Sequence, residues 1–147
     1  MMRLPPDFKE LLRLLNSHRV EYLLVGGYAV GYYGYPRPTG DLDVWVSVEP
    51  ENADRTAKAL TEFGFDPEEV SASLFQRPDN IIRMGVPPIR VKIITGVSGV
   101  EFDTCYARRA SAVIDGVPVN VIGLDDLKAN KKAAGRHKDL NDLEQLS

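Results

Sequence analysis

At 147 residues the chain is long enough for one domain with a real core and too short for two comfortable ones. Its 44% hydrophobic and 27% charged residues are those of an ordinary soluble globular protein, which excludes a disordered or low-complexity chain. A net charge of −3 gives no global electrostatic case for nucleic-acid binding, so DNA is not an expected partner.

The single cysteine, Cys105, excludes an internal disulfide and fits a reducing compartment. The opening MMRLPPDFKELLRLL is charged and amphipathic, without the apolar stretch of a signal peptide. No segment approaches the ~18 apolar residues of a membrane span. A cytoplasmic protein with no membrane partner is the expectation.

Residues 6–18 place Phe8, Leu11, Leu12, Leu14 and Leu15 at helical spacing, which predicts an amphipathic helix packed on a sheet. Tyr22-Leu-Leu-Val25 is a short apolar run ending at Gly26-Gly27, the pattern of a buried strand meeting a tight turn. Tyr28 to Tyr33 forms a helix closed by Gly34 and Tyr35-Pro36-Arg37-Pro38. In residues 41–48, Leu42, Val44, Val46 and Val48 alternate with Asp41, Asp43, Trp45 and Ser47, so a strand puts the two sets on opposite faces. Glu49 to Phe63 is a helix with acidic residues in its first turn and Gly64 after its last. A short helix near Glu68–Phe75 precedes two strands, Asn80 to Gly85 and Ile89 to Thr95, joined at Val86-Pro87-Pro88. Residues 112–122 carry Asp115-Gly116 between apolar runs, a hairpin signal. Helices at 124–134 and about 138–146, separated by Gly135, form a helical C-terminal segment at 124–146. The whole, 1–147, reads as one α/β (α+β) domain with a mixed sheet flanked by helices.

Two features combine into a candidate site. A Gly-Gly turn opening a helix lets a phosphate approach the backbone closely. Asp41 and Asp43 then stand on one face of the next strand, ~6.6 Å apart between Cα atoms, a spacing at which two carboxylates converge on one Mg²⁺. Taken singly, a Gly-Gly after a strand is an ordinary turn, and an Asp-x-Asp pair is more often solvated edge charge. The C-terminal cluster Lys128, Lys131, Lys132, Arg136, His137 and Lys138 either holds phosphate or is a solvated helix face. His18 and His137 are isolated and support no zinc site. Trp45, Tyr28, Tyr32 and Tyr33 are candidates to stack a base, with packing the simpler role.

Gly26-Gly27-Tyr28-Ala29 followed by Pro38-Thr39-Gly40-Asp41-Leu42-Asp43-Val44 resembles the signature of the DNA polymerase β-like nucleotidyltransferases. Leu124-Asp-Asp-Leu127 and Lys131-Lys-Ala-Ala-Gly-Arg-His-Lys-Asp139 with Asp142-Leu-Glu144 resemble its small bacterial members, stand-alone minimal enzymes and relatives of abortive-infection toxins. The resemblance runs from about Val20 to Leu146. It implies a nucleotidyltransferase fold and metal-dependent transfer of NMP from an NTP to a hydroxyl of a protein, a tRNA or a small molecule. By the same resemblance Gly26 and Gly27 bind the triphosphate, and Asp41 and Asp43 hold one or two Mg²⁺ ions. Arg37 and Thr39 touch phosphate or shape the turn, while Lys131, Lys132, Arg136 and Lys138 approach nucleotide or acceptor. Asp139 caps the last helix or pairs with Arg136. A protein partner and a toxin–antitoxin role are further implications.

One position departs from the family pattern. The third carboxylate of such sites belongs on the strand Ile89-Arg-Val-Lys-Ile-Ile-Thr95, where this chain carries Lys92. An ammonium there neutralises Asp41 or Asp43 and lowers metal affinity. The chain is then either a catalytically inactive nucleotide- or partner-binding module, or an enzyme in which Glu101 or Asp103 substitutes. If the strand register differs, Lys92 simply lies on a solvated face. An RNA-binding accessory protein using the C-terminal cluster is a further alternative.

Overall fold

The computed structural model describes residues 2–36 and 40–146. Helix α1 (Pro6–Ser17) forms where the periodicity predicts it, with proline at its first turn and no prolines beyond. Its stripe of Phe8, Leu11, Leu12 and Leu15 is fully buried, each side chain contributing about 1.5–3 kcal/mol as an upper bound. Strand β1 (Tyr22–Val25) is buried along its whole length and passes directly into α2 (Gly26–Tyr32). Strand β2 (Asp41–Val46) and helix α3 (Pro50–Phe63) follow, with Gly64 ending the helix at φ 126°. The short helix expected near Glu68–Phe75 is a 3-10 turn at Ala72–Gln76. Next come β3 (Ile81–Val86), β4 (Ile89–Ile94), α4 (Phe102–Ala107), β5 (Ala110–Ile114), β6 (Val117–Val121), α5 (Leu124–Ala134) and α6 (His137–Gln145).

The strands form one six-stranded mixed sheet in the order β3-β4-β2-β1-β6-β5. Three antiparallel pairs, β1–β2, β3–β4 and β5–β6, are joined through parallel pairings of β2 with β4 and β1 with β6. The hairpin β5–β6 turns at Asp115 (φ 50°) and Gly116 (φ 83°), two left-handed residues that match the strand twist. Helix α1 packs against α3 and β6, and α3 also covers β2 and the 3-10 turn. Leu42, Val44 and Val46 are sealed on one face of β2, so buried residues from Leu4 to Leu146 form one continuous core. Helix α4 has no counterpart in the sequence reading, because six residues are too few to display a helical period. Among the described residues no helix is long and apolar enough to cross a membrane.

Candidate functional site

The registers decide what meets on the other face of the sheet. In the parallel pair β2–β4, Asp41 stands beside Arg90, Asp43 beside Lys92 and Trp45 beside Ile94. The antiparallel pair β3–β4 sets Arg83 beside Lys92 and Ile81 beside Ile94. Because side chains alternate with period two, these residues share one face. Val25, the last residue of β1, pairs with Asp43 and delivers Gly26 and Gly27 to the same end of the sheet. Lys92 therefore shares a face with the acid pair and does not lie on a solvated face.

Its ammonium sits between the carboxylates, 3.5 Å from Asp43 Oδ1 and 3.8 Å from Asp41 Oδ2. Arg90 adds a two-pronged clamp, donating from Nε to Asp41 Oδ1 at 3.0 Å and from Nη2 to Oδ2 at 3.1 Å. These bonds hold the Asp41 carboxyl below its ordinary pKa, against an opposing effect of burial and with help from the charges of Arg90, Lys92 and Lys138. Asp43 moves the other way. Burial pushes it up, Lys92 counters, and the neighbouring Asp41 charge raises it further. At 3.5 Å Lys92 is at the outer limit of a hydrogen bond to Asp43 Oδ1, and no closer donor reaches that buried oxygen. Arg90 was not singled out from the sequence; the signal was its position two residues before Lys92 on the same strand.

Gly26 is fixed by two independent demands. Its φ of 67° is left-handed, and a Cβ there would collide with the Asp43 carboxylate. Gly26→Ala is expected to cost about 1–2 kcal/mol through the backbone alone, read as a lower urea midpoint, with further loss from displacing Asp43.

The cleft over this face has a volume of about 600 Å³. Its walls carry five basic side chains, Arg83, Lys92, Lys131, Arg136 and Lys138, against three acids, Asp43, Asp79 and Asp139. The excess of two positive charges is the reverse of the chain's net −3. Not all five serve the cleft alike. Lys131, expected to approach the nucleotide, is buried with its ammonium held by Asp139 at 3.3 Å and Asp142 at 3.1 Å. Arg136 donates to Asp139 Oδ2 at 2.6 Å while remaining largely exposed, and Asp139 also accepts from the Arg136 backbone N–H, capping α6. Burial opposes charge on Asp139, yet the bonds from Arg136 and Lys131 outweigh it and hold this carboxyl below its usual range. Asp139 thus fills both structural roles read for it. Lys132 is exposed and is not among the residues lining the cleft. Arg37 and Thr39 lie outside the described residues.

Glu101 and Asp103, the acids nearest β4 in sequence, are exposed at the start of α4 and do not line the cleft; Asp79 does. Trp45 is buried edge-on against Phe102, and Tyr28 edge-on against Phe8, so both pack. Tyr32 is exposed beside a separate groove, and Tyr33 donates to the Ile122 carbonyl. Cys105 is buried, and burial together with the Asp126 carboxylate pushes its thiol up to about 11, which removes it as a nucleophile.

A divalent-metal site needs free carboxylate oxygens. Here both oxygens of Asp41 are bonded to Arg90, Lys92 stands at both acids, and among the described residues no group of three or more His, Cys, Asp or Glu could hold a metal. The side chains as arranged do not fit a two-metal centre.

No family model matches the sequence, and no curated protein matches it significantly. Solved structures do share the fold. A protein from Thermotoga maritima, provisionally described as a nucleotidyltransferase, superposes with a TM-score of 0.63 at 14% identity, over 97% of this chain and 94% of that one. An antigenic nucleotidyltransferase-like protein from Paracoccidioides brasiliensis gives a TM-score of 0.55 at 20% identity, over 97% of this chain and 77% of that one. Among the described residues, the mixed six-stranded sheet with six helices is therefore a fold shared with one structure provisionally described as a nucleotidyltransferase and one described as nucleotidyltransferase-like.

Proposed function

We propose that this chain is a nucleotide-binding protein on the nucleotidyltransferase fold, holding the triphosphate of an NTP with its own cations instead of with two metal ions. The observation that carries this reading is the Lys92 ammonium between Asp41 and Asp43, at 3.8 and 3.5 Å. A positive charge fixed there offsets the acid pair, so an incoming polyphosphate meets Lys92, Arg83, Arg136 and Lys138 rather than bare carboxylates. Gly26 and Gly27 line the same cleft, at the end of the sheet where Lys92 stands. The fold shared with proteins described as nucleotidyltransferases supports the ligand class.

A second reading is favoured by one feature, the buried Asp43 Oδ1 without a close hydrogen-bond donor. Lys92 reaches that oxygen only at 3.5 Å, which leaves it open to a stronger partner. On this reading the protein transfers NMP from an NTP to a hydroxyl of a protein, a tRNA or a small molecule, with release of pyrophosphate.

Calorimetric titration of the four NTPs, once with Mg²⁺ and once with EDTA, tests the choice. The first reading expects Kd in EDTA within about threefold of that in Mg²⁺, and no pyrophosphate released with bulk tRNA or protein extract. Binding that appears only with Mg²⁺, accompanied by pyrophosphate release, would establish the second. No binding in either condition removes the nucleotide from both.

A further inference from the structure

We infer that the far end of the cleft is a base subsite selective for guanine, with Asp79 reading the base edge and Ile81 and Ile94 supporting its face. This deepens the nucleotide-binding reading and rests on it. The cleft has two chemically different ends. Lys92 marks the charged end; Ile94 lies two residues further along β4, and Ile81 pairs with it across the β3–β4 ladder. The two isoleucines form an apolar floor on the face that carries Lys92 and Asp43, and Ile81 is 47% exposed although it is a large aliphatic residue. A flat aromatic base is the kind of group that such a floor accepts.

Beyond the floor stands Asp79. A Cβ at Gly96 would strike its Oδ1, so the carboxylate lies directly against the backbone two residues past Ile94. That is four residues from Lys92, roughly 13 Å along the strand, leaving room for a ribose and a phosphate between. The loop bearing Asp79 is rigidly placed. The Asn80 N–H donates to Thr95 Oγ1, the Thr95 N–H donates to the Asn80 carbonyl, and the Thr95 hydroxyl donates to the Arg77 carbonyl. Asp79 itself has φ 55°. Among the described residues no hydrogen bond or ion pair engages its carboxylate.

A carboxylate has two acceptors and no donor. Guanine alone among the four bases presents two adjacent donors, N1–H and N2–H₂, in the spacing of a carboxylate. Adenine and cytosine turn a bare ring nitrogen beside their amino group, and uracil flanks its one N–H with two carbonyls, so each would aim a lone pair at Asp79. Asp79 is exposed, so the preference comes from the paired hydrogen bonds that guanine alone can donate and from lone-pair repulsion with the other bases, not from a carboxylate left dry.

The test is calorimetric titration of GTP, ITP, ATP, CTP, UTP and inorganic tripolyphosphate into the chain and into Asp79→Asn. Asparagine tolerates the left-handed backbone, so the variant keeps the loop. Expected is a GTP affinity roughly three- to tenfold above ATP, CTP and UTP, with ITP between because it lacks the N2 amine. Asp79→Asn should abolish that preference and leave tripolyphosphate affinity within about twofold. Equal affinity for all four NTPs, or a preference for another base, overturns the guanine subsite while tripolyphosphate binding keeps the phosphate reading intact. Failure of every ligand, tripolyphosphate included, overturns both.

Discussion

If nucleotide is held by the chain's own cations as proposed, Lys92→Asp is expected to make the protein depend on divalent cations. In EDTA the variant places a third carboxylate beside Asp41 and Asp43, where the wild-type ammonium lies 3.5 and 3.8 Å away. Loss of that attraction and gain of repulsion in a site only 16–23% exposed costs on the order of a few kcal/mol. Asp43, already pushed up by burial and by Asp41, would be raised further. Magnesium reverses the effect by binding the folded form alone, about 2.7 kcal/mol at a hundredfold excess over its Kd. Thermal unfolding with and without Mg²⁺ reads this directly: the variant's Tm should rise steeply with Mg²⁺ and the wild type's should not. An equal response from both proteins would mean that Lys92 is not what keeps the metal out. NTP affinity in EDTA should also fall in the variant, since the cleft loses two units of positive charge, and should recover with Mg²⁺.

Lys131→Met should cost about 3–5 kcal/mol in urea denaturation, although Lys131 is one of several lysines in a basic stretch. The reason is burial. Lys131 is 4% exposed, and its partners Asp139 and Asp142 are each 1% exposed, so removing the ammonium takes a buried cation from two carboxylates at once, with Arg136 still on Asp139. Lys132→Met, one residue away on the exposed side, should change stability by less than about 0.5 kcal/mol. The pH dependence has a definite sign. Asp139 titrates lower folded than unfolded, so its pairing stabilises the fold above the ordinary carboxylate pKa of about 3.9 and is lost as pH falls through the lower folded value. In Lys131→Met that protection shrinks, and acid unfolding should begin at higher pH. Asp43 works oppositely, because its raised pKa opposes folding once it ionises and the penalty disappears as pH falls. Equal urea midpoints for the two methionine variants would show that the buried pairing contributes nothing.

The elements closest to their sequence readings are those whose stability is local. In α1 the apolar residues recur at helical spacing, and in β2 they alternate, so one-dimensional pattern and three-dimensional burial carry the same information. The Asp115-Gly116 hairpin is similar, since its turn chemistry sits inside four residues. Helix α4 and the 3-10 turn show no such pattern because they are short and take their form from what they pack against. The basic stretch after Leu127 shows the limit most clearly. Lys131 and Lys132 are neighbours of one type, yet the helix turns one into the core and the other to solvent, and only the partners on α6 tell them apart.

The sequence by itself determined the longer elements, the Gly-Gly turn before an acid pair, and the presence of lysine on the strand where an acid was expected. Tertiary structure decided what those residues do to one another. The parallel register of β4 on β2 seats Lys92 between the two aspartates and brings Arg90 onto Asp41; a slip of one residue would have turned both cations away. It also set Asp79 and not Glu101 or Asp103 on the cleft wall, across 13 residues of chain from Lys92. Charge pairing between strands is a property of register, and register is settled by burial of the whole opposite face, which no local run of residues encodes.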